Sequence, residues 1–314
     1  MTKNNINVVW ASNLDEEFRR IVAFSHTFRY VAVDFEYPGV IVQTARDASA
    51  TTRYADMKSN VDCMNPIQVG LTLFNDNNND HHLPSHMTWQ INLNGFNPET
   101  DLQSRPSIEL LRRSGVDLER NRAEGVSESM FADRMVELLF EGLQWVTFHG
   151  LYDLGYLVKI MTLGDPLPDT ASEFMCRVSS LFGTVYDVKY IAGACDGLKG
   201  GEIGLMTVSK ILKVDVEDGM HHQAGYDSLV TAMVFSKMKM TYMIDEFPFR
   251  GKLYGIHKRH ESAKGSPRAW HAQSHQPRIV MRSPTPVMWS PSPPPPMMMV
   301  MHDGRYNLAP YFCY

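Results

Sequence analysis

The segment RYVAVDFE, Arg29 to Glu36, limits this chain more than any other stretch. Its β-branched and aromatic residues read as a strand, stopped by Tyr37-Pro38-Gly39. Side chains on a strand alternate, so Val31, Val33 and Phe35 point into a core while Asp34 and Glu36 share the opposite face. Two carboxylates side by side at the end of an apolar strand repel each other and lose hydration. That is costly unless a cation neutralises them. A solvated strand end at a turn accounts for the same pair, because acids are common there.

The surrounding pattern predicts an α/β domain. Leu14 to Ser25 has helical spacing, with Asn13 placed to cap it and acids in the first turn. Ile67 to Asn75 and Thr88 to Asn94 read as two further strands joined by the polar loop NDNNNDHHLPSH, a long-looped hairpin. Helices are expected over Ser107 to Arg113, Glu128 to Phe140, from near Tyr152, Glu173 to Leu181, Leu205 to Leu212 and Ala224 to Met240. Trp145 to His149 and Thr184 to Val188 read as short strands. Three adjoining strands followed by mixed helices and strands imply one mixed sheet, with parallel and antiparallel pairs, flanked by helices. No internal repeat is visible.

From about His257 the character changes. Ten of the 18 prolines and a Met-rich patch lie in 257–314. Proline fixes φ and removes backbone donors, so this tail is expected to hold neither helix nor sheet. It reads as disordered, with local polyproline II around Pro293 to Pro296. The division is therefore a domain over 1–256 and a Pro/Met-rich tail over 257–314. A solvated tail is favoured over a Pro-rich docking segment for an aromatic groove.

Composition excludes some functions. With 30 basic and 35 acidic residues the net charge is −5, unlike proteins that grip duplex DNA along its length. An enzyme that takes only a few nucleotides at a chain end needs just a local basic path. Cys63, Cys176, Cys195 and Cys313 form no CxxC pair and read as reduced thiols, not a disulfide framework or zinc site. The start lacks a signal-peptide core, and no apolar run approaches the ~18 residues of a membrane helix. A soluble, intracellular protein is expected.

Two other segments carry acids in suggestive places. In FHGLYDLGYL, Asp153 falls in the first turn of the helix after a Gly150-Leu151 break, where an acid also suits the helix dipole. In HHQAGYDSLVTAMVF, Asp227 lies on a helix whose Leu229, Val230, Met233 and Val234 face the core, and His222 precedes it by five residues. Alone, each has a structural explanation: a first-turn acid, a polar surface histidine. His81, His82 and His86 sit in the Asn-rich loop and read as solvated.

Taken as a set, D-x-E, a second Asp after a central strand, and H-x4-D on a late helix resemble the DEDD exonuclease superfamily. Its ribonuclease-H-like fold places four acids around two divalent ions. VAVDFEYPG, NVDCMNPIQVGLTLFN, TWQINLN, SIELLRRSGVD, FHGLYDLGYLVKI, YDVKYIAGAC, LKGG, HHQAGYDSLVTAMVFSKM and LYGI narrow the likeness. In that order and spacing they resemble the smaller deadenylase of the CCR-four–NOT complex, the Caf-one/Pop-two family, over roughly Val8 to Ile256.

The resemblance implies metal ligation by Asp34, Glu36, Asp153 and Asp227 and assigns the DEDDh histidine to His222, a general base. The tyrosine of the other subgroup has no counterpart, since Gln223 fills that position and Tyr226 adjoins Asp227. The implied cofactors are two divalent ions, Mg²⁺ or Mn²⁺, which suit hard oxygen ligands. The implied substrate is single-stranded RNA, the mRNA poly(A) tail, cut from its 3′ end to 5′-AMP. The implied partners are the NOT scaffold and the larger deadenylase, in cytoplasm and nucleus, with no membrane and no DNA duplex. A weakly catalytic adaptor between those two partners is the alternative; a DNA-proofreading exonuclease shares the acids but not the flanking motifs.

Three positions depart from that family. Phe35 stands where a small residue or threonine is usual, Tyr226 where serine is usual, and Leu151-Tyr152 where Gly precedes Tyr. Phe35 and Tyr226 are expected to flank the metals closely. Gly200 and Gly201 of LKGG are expected to form a turn.

Overall fold

A computed structural model describes residues 6–76, 85–217, 219, 221–258, 300–302 and 305–307. Six strands form one mixed sheet in the order β1-β4-β3-β2-β5-β6. They are β1 (Ile6–Val9), β2 (Tyr30–Glu36), β3 (Gln68–Phe74), β4 (His86–Asn92), β5 (Gln144–Thr147) and β6 (Val185–Asp187). β2–β3 and β3–β4 are antiparallel, whereas β1–β4, β2–β5 and β5–β6 are parallel. The expected α/β class with a mixed sheet holds.

Helices cover both faces, so the central strands are buried on both sides and run nearly continuously apolar, as in β3, QVGLTLF. α10 (Ala224–Tyr242) lies across β2, β3, β4 and β5. It packs with Tyr30, Ala32, Phe74, Val146 and Tyr186, joined by α8 (Val188–Ala192) and α9 (Leu205–Ile211). Opposite lie α1 (Leu14–Ser25), α5 (Glu128–Leu139) and α6 (Leu151–Met161), with α2 (Ala50–Cys63) and α7 (Ala171–Phe182) packed on α6. A satellite cluster of Ile67, Phe96, Ile108, Leu111, Val116 and Leu118 is built largely from α3 (Arg105–Arg113) and the start of α4 (Leu118–Glu124).

The helices that the pattern located show their signals in detail. The side chain of Thr170 and that of Glu173 cap α7 reciprocally. Asn13 stands at the N-cap position of α1, but its Oδ1 accepts from Trp10 N (2.8 Å) and its amide donates to Val8 O (3.1 Å), so it ties α1 to β1 and caps nothing. Strand β5 stops at Thr147, short of the expected His149, because His149 turns to φ 65°.

Tail residues Val300–His302 and Arg305–Asn307 pair as two antiparallel strands, β7 and β8. They correct the expectation that no tail residue enters a sheet: the stretch Val300 to Asn307 contains no proline. The polyproline II reading at Pro293 to Pro296 lies outside the described residues, as do Cys313, His81 and His82. Cys63 and Cys195 are free thiols. No described helix is long and apolar enough to cross a membrane.

One close approach fixes α10 on the sheet. Gly70 of β3 is the register partner of Asp34, and a Cβ there would lie 1.8 Å from the carbonyl oxygen of Ala224, the first residue of α10. Gln68 and Gln90 accept the first two N–H groups of α10, from Ala224 (3.4 Å) and Gly225 (3.3 Å). Gln223 binds both glutamine amides through its Oε1 and donates to Ser114 O (2.6 Å). Gly70→Ala should therefore lift this first turn and lower stability by roughly 1–3 kcal/mol, the usual cost of overpacking. A fall in the denaturant midpoint checks it; an unchanged midpoint would show that the turn yields freely.

Candidate active site

The carboxylates converge at the end of β2, where the sheet changes its pairing. β2 pairs with β5 only from Tyr30 to Ala32, and β5 then turns off into α6. The β2 edge beyond Ala32 thus loses its neighbour. Asp153, in the first turn of α6, fills the gap: its Oδ1 accepts from Phe35 N at 2.9 Å. Gly150 makes the turn possible, because a Cβ there would meet Thr147 Oγ1 at 2.0 Å.

From the other side, the first turn of α10 brings Asp227 over the same strand end. His222, at φ 63°, adopts the left-handed conformation that histidine tolerates better than most side chains. Its backbone N–H donates to Asp227 Oδ2 at 3.1 Å. Among the described residues, Glu36, His222 and Asp227 place one ligand-type atom each within 4.8 Å of one another. Asp34 and Asp153 stand outside that tight group but adjoin it, since the charges of Asp153, Asp227 and Glu36 all act on Asp34.

The electrostatics are those of a crowded acid cluster. Burial first, then its three acidic neighbours, holds the Asp34 carboxyl well above the usual carboxylate range. Glu36 is raised by burial, Asp227 and Asp153. Burial pushes Asp153 up to about 8 against the Phe35 hydrogen bond, and Asp227 up to about 6. The His222 imidazole is lowered by burial and by His221, whose ring lies 4.9 Å away, so the neutral form is favoured.

Asp227 Oδ1 is buried with no hydrogen-bond partner. An orphaned carboxylate oxygen among three other acids is costly in a chain alone and is satisfied by a cation. The all-oxygen carboxylate set suits a hard divalent ion. The residues present fit the metal centre.

Phe35 and Tyr226 do not line it. Phe35 is on the opposite face of β2, stacked 5.9 Å from Tyr156 of α6. Tyr226 is buried in the core beneath α10, its hydroxyl accepting from Glu217 N (2.6 Å) and donating to Glu217 O (3.0 Å). Adjacency in sequence to a ligand turns the side chain away, by alternation on the strand and by about 100° on the helix. Lys199–Gly201 forms a single 3₁₀ turn, with Gly200 and Gly201 both at positive φ, as expected for a turn.

Asp187 was not singled out by its sequence context, although it organises the region. Fully buried at the end of β6, it accepts from His149 N and Lys189 N through Oδ1, and from Tyr254 N through Oδ2, each at 2.9 Å. These bonds hold the β5–α6 turn that presents Asp153. Its one legible signal was an Asp closing a short apolar strand ahead of a helix, which is also the pattern of an ordinary N-cap.

Comparison with known proteins bears on the family and the fold. The model of the CAF1 family ribonucleases matches residues 9–134 and 122–235. The probable CCR4-associated factor 1 homolog 1 of Arabidopsis thaliana is 40% identical over 256 residues, covering 80% of this chain and 68% of that protein. Homolog 7 of the same plant is 35% identical over 263 residues, with 80% and 93% covered. S. pombe Pop2p, solved in a Mg²⁺ and Mn²⁺ bound form, superposes with TM-score 0.71 at 33% identity, over 80% of this chain and 99% of that one. A structure of the yeast NOT1 MIF4G domain co-crystallised with CAF1 gives 0.66 at 26%, over 80% and 96%. The chain belongs to the CAF1 family of ribonucleases, and its fold is the ribonuclease-H-like fold of the Pop2 RNase domains.

Each raised carboxyl binds its proton more tightly in the folded chain than in the unfolded one. Its contribution to stability is complete below about pH 4 and is lost as pH rises through the folded values, about 6 for Asp227 and about 8 for Asp153. In chelator, Asp34→Asn should accordingly raise the unfolding free energy, read from denaturant titration, by at least about 1 kcal/mol at pH 8, and by less at pH 5. Equal effects at both pH values would remove charge repulsion as the cause.

Proposed function

We propose that this chain is a 3′-to-5′ poly(A)-specific exoribonuclease that shortens mRNA tails and releases 5′-AMP. The observation carrying the reading is the convergence of Asp34, Glu36, Asp153, Asp227 and His222 from β2, α6 and the α10 approach, with one Asp227 oxygen left unsatisfied. Membership of a ribonuclease family sets the reaction class.

The four carboxylates would hold two divalent ions, Mg²⁺ or Mn²⁺. When bound, such ions neutralise charge on the phosphodiester and make water more acidic. The rest falls to the chain itself. His222, kept neutral by burial and His221, accepts the proton of the attacking water. The water oxygen bonds to phosphorus, the bond to the 3′ oxygen breaks, and that oxygen leaves on the shortened RNA and is protonated. Phe35 N–H and the His222 backbone N–H fix Asp153 and Asp227 in place, so the acids do not reorganise during the step.

The partners of this reading are single-stranded RNA and, by likeness to proteins named CCR4-associated factor and to CAF1 crystallised with NOT1, the NOT scaffold and the larger deadenylase. Its expected locations are cytoplasm and nucleus.

Purified protein with Mg²⁺ or Mn²⁺ should shorten labelled oligo(A) from the 3′ end, faster than oligo(U) and without attacking oligo(dA). Asp34→Ala should reduce the rate at least about 10³-fold, as loss of a group acting in the transition state does, while the protein stays folded. Intact oligo(A) after metal loading would sink the proposal. Background cleavage by both wild type and Asp227→Ala, with equal capture of the NOT scaffold, would assign the domain an adaptor role.

A further inference from the structure

The three parallel strands β2, β5 and β6 all present their carboxyl ends on one rim of the sheet, the usual place for ligands in α/β proteins. The acid cluster occupies the β2–β5 part of that rim. Beyond β6 lies a pocket of about 230 Å³ lined by Arg53, Tyr190, Gly200, Tyr254, His257 and Lys258, among others. One wall of the pocket, Tyr254, adjoins the turn that presents Asp153. The His149 ring, four residues before Asp153, meets the Tyr254 ring edge-on at 5.1 Å, and Asp187 binds the backbone N–H of both residues. Lys189 Nζ lies 4.8 Å from the centre of the Tyr254 ring.

The pocket concentrates positive charge in a chain whose net charge is −5. Arg53 and Lys189 act together on His149, which burial and these two cations push down to about 4. The nearby acids are otherwise engaged: Asp187 is buried beneath the wall with four N–H donors, and Glu202 pairs with Arg46 at 2.8 Å. Among the described residues no ion pair joins a carboxylate to Arg53 or Lys258, although the charges of Asp187 and Glu202 act on Lys189 and Arg53 Nη2 donates to the Arg46 carbonyl. Lys258 is nonetheless held in place, since Tyr190 Oη donates to its carbonyl at 2.9 Å. Gly200, at φ 62°, lines the pocket without a side chain. An open concave surface with a guanidinium and an ammonium that no described carboxylate pairs is chemistry for a phosphate.

We propose that this pocket holds a backbone phosphate of the RNA strand upstream of the bond cut at the acid cluster, with Arg53 and Lys258 as the phosphate-contacting positions. The assignment rests on the ribonuclease reading and deepens it: a strand whose scissile bond lies at β2–β5 continues along the same rim over the Tyr254 wall. Such contacts carry no sequence information; they position the strand and extend its grip.

The test is binding of labelled oligo(A) to the full chain carrying Asp34→Ala, with Mg²⁺, across a KCl series. Adding Arg53→Gln and Lys258→Gln should weaken binding about tenfold and flatten the slope of log affinity against log salt by about 0.7, the contribution of one phosphate contact on a single strand. In the otherwise wild-type chain the same pair should raise KM on oligo(A) and spare kcat. The loss should shrink on the dinucleotide ApA, which has no upstream phosphate. An unchanged slope, no measurable binding at low salt, or equal losses on oligo(A) and ApA would overturn the assignment. Inorganic phosphate that binds the wild-type pocket, with the RNA slope unaltered by the substitutions, would show a free-anion site and overturn it too. If the wild-type chain cut no RNA, the ribonuclease reading would fail, while the salt slope would still decide the pocket.

Discussion

The first turn of α10 rests directly on the backbone of β3, and most of the site follows from that contact. A helix normally packs on a sheet about a side chain away, yet here Gly70 leaves no space between the Ala224 carbonyl and the strand. The close approach occurs opposite Asp34, so it decides which residue of α10 stands above the acids. Three glutamines, Gln68, Gln90 and Gln223, then satisfy the polar groups that the approach would bury unpaired. Sheet, helix and cluster are therefore not separable: a shift of one helical residue would replace Asp227 with Ser228 or Tyr226, both of which are committed to the core.

On the other flank the constraint is an absence. β5 leaves β2 at Val146, and the exposed edge of β2 needs an acceptor for Phe35 N–H. Asp153 supplies it with one oxygen and thereby becomes a buried acid beside two others. Fold stability and site assembly pull in opposite directions at this residue. The hydrogen bond lowers its proton affinity, burial and Asp187 raise it, and burial prevails. A cation relieves the conflict from both sides, because it favours the ionised form that accepts the hydrogen bond and cancels the repulsion among the carboxylates.

How much of this was legible in the residues depends on the range of the information. Period-two alternation was enough to place Asp34 and Glu36 on one face, and the α10 pattern enough to put Asp227 on a helix. α2 escaped because ATTRYADMKSNVDC has only a weak apolar stripe; it begins from the Ser49 cap and is held through Asn60, which binds Ile41 N, Val42 N and the Tyr152 hydroxyl. β1 escaped because four residues at the start of a chain carry too little pattern, and its place is fixed by Thr88 to Ile91 of a strand eighty residues away. The placing of Phe35 and Tyr226 beside the metals failed for a related reason: nearness along the chain says nothing about direction. The convergence of three elements was visible only through family likeness, since no local rule links Gly70 to Ala224.

That same limit explains why the basic pocket has no sequence signature. Arg53 is on α2, Gly200 in a 3₁₀ turn and Lys258 in the basic run His257 to His260, so nothing along the chain shows that the three line one pocket. Arg53 is held by the Arg46 carbonyl and Lys258 by the Tyr190 hydroxyl, while Asp187 fixes the adjoining His149, Lys189 and Tyr254 about one carboxylate at the end of β6. An acidic protein can take hold of a polyanion only where its cations are drawn together and its carboxylates are occupied. On this rim the acids of β2, α6 and α10 are concentrated where a cation would answer them, and the proposed phosphate site would draw on Arg53 and Lys258, which no described carboxylate pairs.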